Sequence, residues 1–285
     1  RAAAPSPLEA AFAAARALAR PAADPVAVLS GPASAAEKLS ALDALQSRLP
    51  DLSRRRLDAA LGAIAAAAAP GQDPAVRAKA CAFLGYAIPV AAAGGASDAA
   101  RSRALDVLLA ALREPAYRIF VLRGLGPAAH GLSDADLARE QTALLDLLDG
   151  PAAGEERATA LVALNAVLDD GGDLLRRRPD MAAQLDARLL SPVEADPAGF
   201  VADPRGTPQS RELQVAVLWL AARERESLGD DAPAARLKLL LGRLDALEPD
   251  AGVRRWIETY RDAAPPPPFK ASTTRRGASA GRDAP

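Results

Sequence analysis

The chain is poor in the residues that build chemical sites. Cys81 is its one cysteine and His130 its one histidine in 285 residues. An intrachain disulfide is excluded, as are Cys-ligated and His-clustered metal sites, because each needs several such side chains. Only four of the 35 basic residues are lysines: Lys38, Lys79, Lys238 and Lys270. Aromatic residues make up 4%, and with the β-branched residues they never form a period-2 run of strand length. The net charge is −1, which argues against a general nucleic-acid binder, whose footprint is strongly basic. The longest apolar run, around residues 63–69, is about a dozen residues against the ~20 that a membrane span needs. No transmembrane segment is therefore expected. No phosphate-binding or dinucleotide-binding glycine motif occurs, and no cofactor is expected.

Alanine and leucine dominate, with 72 and 41 copies. Both are strong helix formers, and arginine and glutamate supply the polar faces. The length suffices for one or two domains with a sizeable core. Start signals are frequent. Ser6-Pro7-Leu8-Glu9 and Ser34-Ala35-Ala36-Glu37 read as capping boxes, in which Ser and Glu satisfy the orphan N–H groups of the first turn. Asp51, Ser133, Asp173, Thr207 and Asp250 are further cap candidates. Pro and Gly supply the stops. These signals predict helices near 7–19, 34–49, 52–69, 74–92, 98–113, 115–129, 134–149, 154–169, 173–190, 208–227, 232–247 and 250–262. Leu39, Leu42, Leu45 and Leu49 form one apolar stripe, and Leu161, Leu164, Val167 and Leu168 another.

An internal period accompanies the helices. Asp73-Pro74-Ala75-Val76-Arg77 returns as Glu114-Pro115-Ala116-Tyr117-Arg118, 41 positions later. Further steps of about 40 residues, two helices per unit, land near residues 34 and 154. The pattern carried by Asp73, Pro74, Val76, Arg77, Ala80, Leu84 and Gly85 resembles the first helix of a HEAT repeat. Pro115, Arg118, Leu125 and Gly126 carry a second copy. The resemblance spans roughly residues 34–170. It implies an all-α fold, a right-handed solenoid of antiparallel helix pairs, and use as a binding scaffold. Pro at the first helical position wastes no hydrogen bond. Small residues Ala80, Ala82 and Gly85 are expected to admit the paired helix closely.

The expected organisation is a repeat array over 1–190, a long Pro/Gly loop over 191–208, and a helical cap over 209–264. A disordered, Pro-rich and basic tail over 265–285 follows. Trp219, Trp256, Ile257 and Tyr260 are expected to close the core of the cap. The opening residues, Arg1-Ala2-Ala3-Ala4-Pro5-Ser6-Pro7, resemble the stretch around a signal-peptide cleavage site, which suggests export. A domain cut from a longer chain gives the same pattern.

Few residues point to chemistry. His130 is expected to cap a helix C-terminus, where a cation meets the dipole. Cys81 sits in an apolar stripe and reads as a core residue. The acidic cluster at Asp169, Asp170 and Asp173 lacks the alternation of a calcium loop and reads as a helix stop and start. Two arginine clusters stand out: Arg54, Arg55 and Arg56, and Arg176, Arg177 and Arg178. By the resemblance they line the concave groove, where they could hold phosphates or an acidic partner segment. Local pairing with Asp58 and Asp180 is the competing expectation. The tail's Pro run and its Lys270, Arg275, Arg276 and Arg282 could contact a proline-reading partner, headgroups or nucleic acid. The leading expectation is a non-catalytic scaffold binding a protein partner. A HEAT-like enzyme (lyase or DNA-repair type) and an electrostatic nucleic-acid binder are the alternatives.

Overall fold

The computed structural model describes residues 24–150, 152–170, 174–226 and 229–262. All its regular structure is helical, and no strand occurs among the described residues. The order is α1 (Pro25–Ser30), α2 (Ala35–Arg48), α3 (Arg54–Ala68), α4 (Pro74–Ala93), α5 (Asp98–Leu112), α6 (Arg118–Ala129), α7 (Asp134–Asp149) and α8 (Gly154–Asp170). Then come α9 (Leu174–Arg177), α10 (Pro179–Leu185), a π-helical turn (Asp186–Leu190), α11 (Ser191–Ala195), α12 (Pro197–Ala202), α13 (Pro208–Glu226), α14 (Ala232–Leu247) and α15 (Ala251–Asp262). The expected helix at 7–19, the export-like start and the tail at 265–285 lie outside the described residues.

Several starts follow from local hydrogen bonding. At α2 the Glu37 amide donates to Ser34 Oγ at 3.3 Å, and the Ser34 amide donates to Glu37 Oε2 at 2.8 Å. This is the reciprocal box that the sequence spells. Asp73 Oδ1 accepts from Ala75 N at 2.9 Å ahead of α4. Asp250 does the same for Gly252 N at 2.8 Å ahead of α15. Asp51 caps nothing: it ends a 3-10 turn, and α3 starts after Ser53.

Three expectations need correction. The helix expected at 115–129 starts only at Arg118. Glu114 does not cap it: its carboxylate is turned to Arg77, whose two Nη atoms donate to its two oxygens at 2.6 Å. The helix expected at 173–190 is broken into α9, α10 and a π-helical turn. Pro179 has no N–H to continue a helix and so starts a new one. The loop expected at 191–208 contains α11 and α12. Pro192 and Pro197 sit in their first turns, where the missing N–H costs nothing, and Asp196 accepts from Gly199 N at 2.8 Å.

Helices pack in two rows. In one row α2 touches α4, α4 touches α6, α6 touches α8, α8 touches α13 and α13 touches α15. In the other α1 touches α3, α3 touches α5, α5 touches α7 and α7 touches α10. Leucines and alanines of both rows form one continuous core. α4 is long and apolar enough to cross a membrane by length and composition. It is also a core helix, with Val76, Ala80, Cys81, Leu84, Ala87, Ile88 and Ala91 all fully buried.

Close approach within the first row rests on glycine. A Cβ on Gly85 would overlap the backbone of Gly124 in α6, and one on Gly124 would lie 3.0 Å from the Cys81 carbonyl oxygen. The helix admitted by Gly85 is thus α6, 39 residues on, rather than its sequence neighbour. Ala82, grouped with Gly85 by sequence, is exposed.

Buried arginines tie helices of the two rows together. Arg77 Nε donates to the Ala68 carbonyl at 3.0 Å, Arg118 Nε to Leu112 at 3.3 Å, and Arg157 Nη1 to Leu148 at 3.1 Å. Each takes an orphan carbonyl at or near the end of the preceding helix. Their other nitrogens reach residues farther along the chain, Glu114 at 2.6 Å, Glu156 at 2.9 Å and Gln214 at 3.1 Å. Arg157, with an amide in place of an acid, is the one whose pKa desolvation pulls down.

Candidate functional site

The second row opens between α5, α7 and α10 into a groove of about 980 Å³. Its floor is apolar, with Leu109, Leu112, Ala138, Ala143 and Leu147. α7 presents this face because Ala135, Ala138, Thr142 and Asp146 recur at three- and four-residue steps. The Thr142 hydroxyl donates to the Ala138 carbonyl at 2.9 Å and lies 3.1 Å from Gln184 Oε1 on α10.

Charged side chains form the rim. Arg139 Nη1 donates to Asp136 at 2.9 Å and Ser102 Oγ at 3.2 Å, while Nη2 reaches Asp106 across the groove. Its hydrogen bonds to the Asp106 and Asp136 carboxylates hold the guanidinium pKa above the ordinary value. Arg178 grips Asp180 with Nε at 3.0 Å and Nη2 at 2.7 Å, and donates from Nη1 to the Asp134 carbonyl at 3.0 Å. The Arg178 hydrogen bond lowers the Asp180 pKa. Arg188 bridges Asp149 at 2.7 Å and Asp146 at 2.9 Å. Arg113, exposed on the rim, pairs with no carboxylate among the described residues.

The two sequence-predicted arginine clusters are not brought together here. The groove takes in Arg178 and none of Arg54, Arg55 and Arg56. Arg56 pairs with Asp24 at 2.7 Å. Arg54 and Arg55 are exposed at the start of α3 and pair with no carboxylate among the described residues. Arg176 is exposed on α9. Arg177 binds Asp134 through Nε at 2.6 Å and Nη2 at 3.0 Å, which lowers the Asp134 pKa. Local pairing therefore occupies Arg56, Arg177 and Arg178. Asp180 is a partner as anticipated, but Asp58 instead accepts from the Ser97 amide at 2.8 Å.

Other single residues fall where their surroundings dictate. His130 is the exposed C-cap of α6. Cys81 is buried, and desolvation pushes its thiol up to about 11, which leaves little thiolate at neutral pH. No cluster of three or more His, Cys, Asp and Glu side chains suited to a metal occurs among the described residues. Gly171, Gly172 and Asp173 of the acidic cluster lie outside them.

Sequence reasoning passed over Glu140 and Gln141. Both are fully buried in α7. Gln141 Nε2 donates to the Met181 carbonyl at 2.9 Å, which ties α7 to α10. Neither carboxyl oxygen of Glu140 has a hydrogen-bond partner among the described residues, and desolvation raises its pKa well above the usual range. A glutamate three positions after Leu137 and four before Leu144, both buried, was the available signal. No protein-family model, no curated protein and no solved structure matches this chain.

Proposed function

We propose that the chain is a HEAT-like α-solenoid that serves as a non-catalytic scaffold and takes a helical segment of a protein partner in the α5–α7–α10 groove. The supporting observation is the groove itself: an apolar floor framed by guanidiniums already fixed by carboxylates. Such a rim offers directed donors without the entropy loss of ordering free arginines at the moment of binding. An apolar groove between helices suits the apolar face of an amphipathic helix, anchored at three- and four-residue steps. Arg113 favours an acid near one end of that segment. Contacts between alternate helices, and the ion pairs reaching one unit onward, support the solenoid reading. This moves the binding surface from the arginine clusters to the groove, with Arg178 common to both.

Photo-cross-linking tests it. A cross-linking side chain at Arg113 should trap a partner, one at Ala82 on the first row should not, and Ala143→Glu should abolish the trapping. Equal trapping from Ala82, or trapping indifferent to Ala143→Glu, would reject the groove.

A further inference from the structure

Of the residues expected to seal the C-terminal core, Ile257 is buried in it and Trp219 and Tyr260 pack against it, while Trp256 turns outward. Trp219 on α13 and Tyr260 on α15 have ring centroids 5.3 Å apart, and Tyr260 and Trp256 are 5.7 Å apart. The core beneath them is closed by Val253 and Ile257. Trp219 and Tyr260 are half-buried, and Trp256 is 43% exposed. A ladder of three rings therefore runs outward along the surface. It gathers both tryptophans of a chain with ten aromatic residues. Beside it lies a cleft of about 330 Å³, lined by Trp219, Tyr260, Ala234, Ala235, Leu237 and Leu241. Arg223 stacks over Trp219 with its guanidinium carbon 5.2 Å from the ring centre.

α15 delivers the chain to this cleft. Tyr260 and Arg261 line it, and Asp262 is the last described residue. Only Ala263 and Ala264 separate that point from Pro265, Pro266, Pro267, Pro268 and Phe269. Two extended residues reach about 7 Å. Four prolines in a polyproline helix cover about 12 Å, with flat apolar ring faces and little entropy left to lose on docking. Asp231 on the cleft rim is exposed and pairs with no cation among the described residues, and Lys270 follows Phe269 directly. We propose that the cleft is a proline-reading surface and that its occupant is the chain's own segment 265–269. This stands apart from the α5–α7–α10 reading and neither needs it nor supports it.

Trp219 and Trp256 are the only two tryptophans, so intrinsic tryptophan fluorescence reports the ring ladder, with Trp219 in the cleft itself and Trp256 beside it. The full chain should be compared with a full-length variant in which Pro265, Pro266, Pro267, Pro268 and Phe269 are all serine. The variant's emission should shift to the red and lose protection from acrylamide, with unchanged helical circular dichroism. A synthetic peptide of residues 263–272 should restore both, saturably, and fail to do so when the variant also carries Tyr260→Ala. Identical quenching of the two chains, with no response to the peptide, overturns the proposal. Protection that fades on dilution of the full chain overturns the intrachain occupant, because the segment would then come from a second copy.

Discussion

The middle of the molecule and its C-terminal end solve the same packing problem differently. Between α4 and α8 the first-row helices meet backbone to backbone: Gly85 faces Gly124, and Gly126 lies against Ala163. Their arginines hold helix-end carbonyls and half-exposed acids. From α9 to α12 the helices are short or interrupted, and the longer α13 to α15 meet through large side chains and a ring ladder. There the connecting pair, Arg211 and Glu248, is buried, with both hydrogen bonds at 2.8 Å and Glu248 only 1% exposed at its side chain. Ion pairs of similar span nonetheless cross the irregular part. Arg225 reaches Asp186 over 39 residues, and Arg236 reaches Glu194 over 42. Long-range ion pairs thus survive loss of helical regularity, because long side chains tolerate backbone changes that a glycine contact cannot.

The sharpest test of that contrast is the pair of arginines. Arg211→Met should destabilise the fold by about 3–5 kcal/mol, since it leaves the buried Glu248 charge without its cation. Arg77→Met should cost less, because Glu114 is 43% exposed at its side chain and water can take over. Chemical denaturation of both variants gives the ranking, and equal losses would erase the distinction between the two regions.

Glycine supplies the next test. Gly85→Ala should cost about 1–3 kcal/mol, because its Cβ meets unyielding Gly124 backbone. A Cβ added to Gly242 in α14 would meet nothing within 4 Å, so Gly242→Ala should instead stabilise by roughly 1 kcal/mol through helix propensity. Opposite signs in urea titrations would confirm that backbone contact belongs to the middle of the molecule.

Glu140 gives a smaller, pH-dependent effect. Its folded pKa lies above the unfolded value of 4.5, so the folded state holds the proton more tightly. That advantage is complete below the unfolded value and is lost as pH rises toward the folded one. Glu140→Gln should therefore match the parent near pH 4 and gain on it in melting temperature as pH increases. A constant difference across that range would mean that Glu140 is not held protonated. The smallest effect is expected from Arg54→Ser with Arg55→Ser, within about 0.5 kcal/mol, as both are exposed.

Helix starts were legible wherever a side chain meets its own backbone. Ser34 with Glu37, Asp73 and Asp250 act over two or three residues, so a short window of sequence contains all the atoms involved. Pro115 misled because Glu114 answers to Arg77, 37 residues earlier. The segment at 191–208 misled because its prolines were read as breakers, when Pro192 and Pro197 occupy first-turn positions that suit proline. The candidate site was the least legible part. Of the six arginines singled out, only Arg178 borders the groove, and the floor residues resemble any other leucines and alanines of a buried stripe.

Composition and short-range pattern by themselves determined that this protein is helical, where most helices begin, and that Cys81 is a core residue. Those outcomes follow from backbone propensity, from hydrogen bonds spanning one turn, and from the cost of leaving apolar stripes in water. Tertiary structure alone decided which arginines are bound, that Gly85 answers to Gly124, that α5 and α7 part into a groove, and that three aromatic rings line up on the surface. Most of these depend on groups some 30 to 45 residues apart meeting in space, as with Arg77 and Glu114, Gly85 and Gly124, and Trp219 and Tyr260, where the winner is set by geometry and desolvation rather than by the residue's neighbours in the chain.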